Sequence, residues 1–193
     1  MRKLVLFTAH ALRAETVTLE SQNATLGINL DGGALVDFQL RGLALNPLTW
    51  VESRPTPQMR GHFLCLDRWG APSAAELANG MPFHGEASRV PWSVDSRAAG
   101  SARMHARLPM AGLGVRRTAS LNGAVARIEE TVTNENKLGR IYNWVQHPSI
   151  APPFLDENTD GRVLEEQSKG EDRQGCSRAS LPHDGKDSDC QPI

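Results

Sequence analysis

The sequence is poor in aromatic residues (5%, with a single tyrosine) and has only three cysteines. Three thiols cannot form a disulfide framework that replaces a hydrophobic core, and their spacing matches no metal motif. No apolar run approaches the ~18 residues of a membrane-spanning helix. Charge of one sign is not in excess either. The 21 basic and 22 acidic side chains leave a formal net charge of -1, which argues against a strongly basic nucleic-acid binder and an acidic disordered chain. What the sequence does have is breakers, 17 glycines and 12 prolines among 193 residues. That density suits short strands and turns better than a helical bundle.

The composition changes along the chain. Residues 160–193 contain no aromatic residue and only Val163, Leu164, Leu181 and Ile193 as large apolar ones, while all four tryptophans lie between Trp50 and Trp144. A segment that polar cannot bury enough surface to offset its ordering entropy. The reading is therefore a possible signal segment over 1–14, a folded domain over 15–158 and a polar disordered tail over 159–193. Arg2 and Lys3 followed by apolar residues fit an export signal, but His10 interrupts the run and Leu12 is large for a cleavage site. Periplasmic or secreted and cytoplasmic locations both stay open. Cys65, inside an apolar stretch, reads as a buried thiol.

Alternation of apolar and polar residues predicts strands over 15–20, 24–30 and 34–40, the last with Ala34, Val36, Phe38 and Leu40 on one face. Further strands are predicted over 101–108, 113–121, 124–133 and 140–147. Asn122-Gly123 reads as a two-residue hairpin turn. Glu130 falls on the apolar face of its strand and breaks the pattern. Residues 53–60, with Pro55 and Pro57, read as a loop, and 73–78 after Pro72 is the one helical stretch. No βαβ alternation occurs. The fold class is all-β, an antiparallel β-sandwich.

Two segments could carry chemistry. Asn79-Gly80-Met81-Pro82-Phe83-His84-Gly85-Glu86-Ala87 places a histidine among breakers, and Trp144-Val145-Gln146-His147-Pro148 places another at a strand end running into a proline-rich corner. Histidine suits proton transfer near neutral pH. Trp144 is out of phase with His147 on an extended strand, so it is expected to face the other way and to belong to the core. Other motifs fail. His84-Gly85-Glu86 lacks the Cys-x-x-Cys half of a zinc deaminase site. Gly112-Leu113-Gly114 lacks the third glycine of a dinucleotide site, and there is no Walker loop and no G-x-S-x-G elbow. No metal and no cofactor is expected.

At these segments the sequence resembles the aldose 1-epimerase (galactose mutarotase-like) superfamily. The resemblance rests on Leu64-Cys65-Leu66-Asp67-Arg68-Trp69-Gly70, Phe83-His84-Gly85-Glu86-Ala87, Pro91-Trp92 and the corner from Val145-Gln146-His147-Pro148 to Pro152-Pro153-Phe154-Leu155, with the early Gly32-Gly33-Ala34 turn before Asp37-Phe38. It covers roughly residues 15–158, the N-terminal half of such a domain. It implies a mutarotase-like supersandwich, here truncated, that binds an aldose or another carbohydrate. Motif by motif it assigns His147 the place of the histidine that protonates the ring oxygen, His84 that of the substrate-contacting histidine, and Arg68 that of an arginine on the sugar hydroxyls.

The family's base glutamate comes from the C-terminal half, which this sequence does not match. Glu165 and Glu166 lie in the tail and are not assigned that role. The implied activity, an isomerase of the aldose 1-epimerase type, is therefore expected to be weak or absent. A non-catalytic carbohydrate-binding module and an incomplete product without function are the alternatives. No nucleic-acid or membrane partner is expected, and self-association through an exposed sheet edge is.

Overall fold

A computed structural model describes residues 15–52 and 59–154. The segment 1–14, most of the proline loop, and the tail with Cys176 and Cys190 lie outside the described residues. The described chain runs β1 (Thr16–Glu20), β2 (Ala24–Asn29), β3 (Leu35–Leu40), β4 (His62–Asp67), α1 (Ala74–Ala78), β5 (Ser93–Ala98), β6 (Ser101–Leu108), β7 (Leu113–Asn122), β8 (Val125–Asn134) and β9 (Asn143–Pro148). Two sheets form, in the orders β1-β2-β3-β4-β9 and β5-β6-β7-β8, and every strand pair is antiparallel. The protein is an all-β sandwich.

The core between the sheets follows from the period of two. Val17, Leu19, Leu26, Ile28, Leu64 and Leu66 of the first sheet meet Met104, Leu108, Leu113, Val115 and Leu121 of the second, all 5% exposed or less. A second, smaller cluster lies on the opposite face of the first sheet, where Ala34, Met59, Phe63 and Cys65 pack with Val36, Trp50, Phe83 and Val145. Burial pushes the Cys65 thiol up to about 12, which leaves it without the thiolate that reacts.

Four features differ from the sequence reading. In β3 the alternation breaks, because Ile28 pairs with Leu35 while Gly27 pairs with Asp37 and Val36 is the extra residue. A bulge of this kind moves the following side chains to the other face. Leu35 and Phe38 therefore pack into the inter-sheet core, whereas Ala34 and Val36 join the outer cluster. The hairpin turn is Gly123-Ala124, not Asn122-Gly123, since Asn122 pairs with Val125 and Gly123 takes φ 57. Glycine in the first central position suits a type II′ turn. β5 has no counterpart in the sequence reading, because every one of its residues is exposed and no apolar alternation marks it. Trp144 is 46% exposed and not core. It does face away from His147, but among the described residues its own strand β9 is an end strand of the first sheet, and β8, whose Glu130 its Nε1 reaches, is an end strand of the second, so little covers its ring.

Glu130, the break in the pattern of β8, has a partner. Arg117 of β7 is directly opposite it, and the Arg117 Nε and Nη2 donate to Glu130 Oε1 at 2.7 Å, with the two side chains only 3% and 2% exposed. Arg117 also donates to the Gly33 carbonyl and lies 4.2 Å over the Trp92 ring. The other Glu130 oxygen accepts from Gln146 Nε2 at 2.5 Å and from Trp144 Nε1 at 3.2 Å. Gln146 in turn bonds His62 at 2.9 Å, whose imidazole burial holds below its ordinary pKa. This polar network between the sheets fixes the inner face of β9. His147 projects from the outer face.

Candidate functional site

The site forms on the outer face of the five-stranded sheet. β9 lies beside β4 in a register that sets His147 opposite Phe63. The two rings stack at 4.4 Å between centroids with 15° between planes, a cross-strand aromatic pair that holds the imidazole plane. Phe63 is itself 1% exposed and stacks on Trp50 at 6.3 Å.

His84 reaches the same place from a loop. Its backbone lies in the left-handed region, φ 67, followed by Gly85 at φ 76. For a residue with a Cβ this conformation costs about 1–3 kcal/mol and persists only where the surroundings enforce it. They do so here through a reciprocal clamp. The His84 N–H donates to the Gly70 carbonyl at 3.0 Å, and the Gly70 N–H donates to His84 Nδ1 at 3.0 Å. Gly85 pairs with Leu66, and a Cβ on it would lie 2.3 Å from the Leu66 carbonyl oxygen. Only glycine lets the loop approach the sheet this closely. Phe83 meets the His84 ring edge-on at 4.0 Å.

The two histidines singled out from the sequence thus come together, with ring centroids 5.3 Å apart and planes at 64°. They share a cavity of about 360 Å³ lined, among the described residues, by Trp50, Val51, Glu52, Met59, Phe63, Phe83, His84 and His147. That volume fits a single small ligand. A larger depression of about 600 Å³ beside Met110, Ala111 and residues 136–141 contains neither a histidine nor a carboxylate.

The second ring nitrogens separate the two imidazoles chemically. Because a backbone N–H points at His84 Nδ1, that nitrogen must accept, and the ring proton sits on Nε2. His84 is therefore fixed as a hydrogen-bond donor. His147 Nδ1 instead meets the Ser149 hydroxyl at 3.2 Å. A hydroxyl donates or accepts by rotating, so it serves both tautomers and the protonated ring. Of the two, only His147 has a partner at Nδ1 that suits either tautomer.

Arg68 is placed elsewhere. It does not line the cavity. Its guanidinium is bound by both carboxylate oxygens of Glu76 in α1. Arg68, then Ser73, hold the Glu76 carboxyl down at about 2. Ser73 and Glu76 form the capping box of the helix, so Arg68 anchors α1. Trp92 of the Pro91-Trp92 motif is buried core, and Glu86 is buried with one oxygen accepting the Ala111 N–H at 2.8 Å. Both are structural.

The sequence reading missed Glu52. It follows Trp50 and Val51 in a stretch with no period and no motif, and it is 8% exposed in the cavity wall. Among the described residues no three His, Cys, Asp or Glu side chains gather as a metal site, and no helix is long and apolar enough to cross a membrane.

The fold and site define an all-β sandwich with a paired-histidine cleft on one sheet face. No family model, curated protein or solved structure matches the chain.

Proposed function

We propose that the cleft binds one sugar ring and that the chain is a carbohydrate-binding, mutarotase-like domain related to the aldose 1-epimerases. The observation that carries the proposal is the pairing of a fixed donor, His84 Nε2–H, with a second imidazole 5.3 Å away, that of His147, whose Nδ1 partner suits either tautomer. Two polar groups at that separation reach two oxygens of one pyranose. The aromatic wall of Trp50, Phe63 and Phe83 suits the apolar face of a sugar, and aromatic side chains combined with a few placed polar groups are a usual form of a small-ligand site. His147 is assigned the ring-oxygen acid and His84 the substrate contact.

Calorimetric titration of the full chain with D-galactose and D-glucose tests this reading. Saturable heat from at least one sugar is expected, lost when His84 is replaced by Phe. No heat from either aldose, with the protein folded, overturns it. Binding without anomer exchange would identify a non-catalytic binding module.

A further inference from the structure

We infer that two copies of the chain pair through β8, antiparallel and edge to edge, and join their four-stranded sheets into one continuous sheet. The inference stands on the sandwich and does not rest on the sugar-cleft reading.

The two sides of the sandwich are built differently. On one side β1 and β5 end the sheets, and the chain ties them to each other. The Glu20 N–H donates to the Ala99 carbonyl at 2.7 Å, and Arg97 Nη2 donates to the Thr18 carbonyl at 2.9 Å. On the other side β8 and β9 end the sheets and meet through the side chains of Glu130, Trp144 and Gln146. The core-facing Ala126, Ile128 and Val132 of β8 are only partly buried there. An end strand presents a row of backbone N–H and C=O groups to any strand that can pair with it, and native edges are blunted by proline, lysine, a bulge or an inward charge. β8 is ten residues long, contains neither proline nor lysine, and pairs with β7 in an unbroken register. Its inward charge, Glu130, is neutralised by Arg117.

The charges of β8 identify a second copy as the strand that fits. Antiparallel pairing of a strand with itself places a two-fold axis at one residue, and residues equally far on either side of that residue face each other. With the axis at Ile128, Arg127 of each copy faces Glu129 of the other. Both side chains are exposed on the outer face of the sheet. On the same face Val125 is opposite Thr131. On the inner face Ile128 meets its own copy, and Ala126 is opposite Glu130. Moving the axis to Arg127, Glu129 or Glu130 sets a charged side chain against its own copy, which is destabilising. The sequence of β8 is thus self-complementary in one register and repulsive in those beside it. The pairing also supplies apolar neighbours to Ile128 and Val132.

Sedimentation equilibrium of the full chain tests this, with circular dichroism to follow the strand content of each variant. The wild type is expected at twice its chain mass of 21.0 kDa, dissociating on dilution. Arg127→Glu and Glu129→Arg each set like charges opposite one another on both sides of the axis and should each weaken the dimer at least ~10-fold. An equimolar mixture of the two variants restores opposite charges across the edge and should recover the dimer, as should the double variant Arg127→Glu/Glu129→Arg. The substituted side chains are exposed, so each monomer should keep its fold. A wild-type chain that stays monomeric at high concentration overturns the pairing and leaves the edge to a different partner. A dimer that both single variants form as tightly as the wild type, or a mixture that fails to associate, also overturns it and places any contact between copies elsewhere.

Discussion

Replacing Arg117 with alanine is expected to destabilise the sandwich by about 3–5 kcal/mol, the usual cost of removing one partner of a buried ion pair. The guanidinium is 3% exposed, bonded to Glu130 and Gly33 and stacked over Trp92. Burial pushes its pKa down while Glu130 opposes the shift, and the group stays charged because an arginine is effectively never deprotonated. Truncation leaves the Glu130 carboxylate, 2% exposed, with Gln146 and Trp144 as donors and no cation. It also opens a cavity beside Trp92. The combined replacement of Arg117 and Glu130 by methionine should recover most of the loss, because two packed apolar side chains need no mutual compensation. Urea unfolding followed by tryptophan fluorescence measures both effects, the midpoint falling at constant slope. A single-variant loss below about 1 kcal/mol, the range of exposed pairs, would contradict the buried network.

Replacing His147 with asparagine is expected to lower anomer exchange ~10²–10⁴-fold, the contribution of one positioned proton-transfer group. Asparagine retains a polar tip in the cleft but carries no exchangeable charge. Sugar affinity should therefore fall far less than the rate. The fold should persist, since the core side of β9 is held through Gln146 and Trp144, not through His147. The parallel change at His84 should behave differently. His84 is locked as a donor by the Gly70 N–H, so its loss should weaken binding and leave the pH dependence of the residual rate unchanged. Equal effects of the two variants on rate and affinity would contradict the division of roles.

Much of the architecture was legible because the β-sandwich writes itself in period two. The predicted strand over 101–108 is β6 residue for residue, β7 runs one residue past its predicted end, and β8 is shifted by one residue at both ends. The errors come from features that have no local signature. The bulge at Val36 inserts one residue and looks like unbroken alternation in the sequence. β5 is polar throughout, so nothing distinguishes it from a loop until β6 pairs with it. The turn placement matters more than its one-residue shift suggests. With Asn122-Gly123 as the turn, Arg117 would face Ile128. With Gly123-Ala124, it faces Glu130, and the charged residue that spoiled the pattern becomes half of an ion pair.

For the site, the histidines were visible because each sits among breakers at the end of an element, where side chains converge. Their proximity was not visible, since it depends on β9 crossing back to pair with β4, some 80 residues away in sequence. The position of Arg68 outside the cavity was not legible, because its partner, Glu76, is also the capping residue of α1, a double use that spacing alone does not reveal. Glu52 belongs to no pattern at all. Its position is set by the ladder between Trp50–Glu52 and Met59–Gly61, which forms around a loop that the prolines marked only as irregular.

The central claim is that one sugar ring sits between His84 and His147. Side-chain NMR of the full chain labelled with ¹⁵N-histidine tests it most directly. On titration with D-galactose or D-glucose, the imidazole signals of His84 and His147 should move together and saturate at the same sugar concentration, with His84 in the Nε2–H tautomer throughout. The signals of His105, paired with Asp95 on the other sheet at 2.7 Å, should stay in place. Sugar that leaves His84 and His147 unmoved, or that shifts His105 equally, would contradict the account.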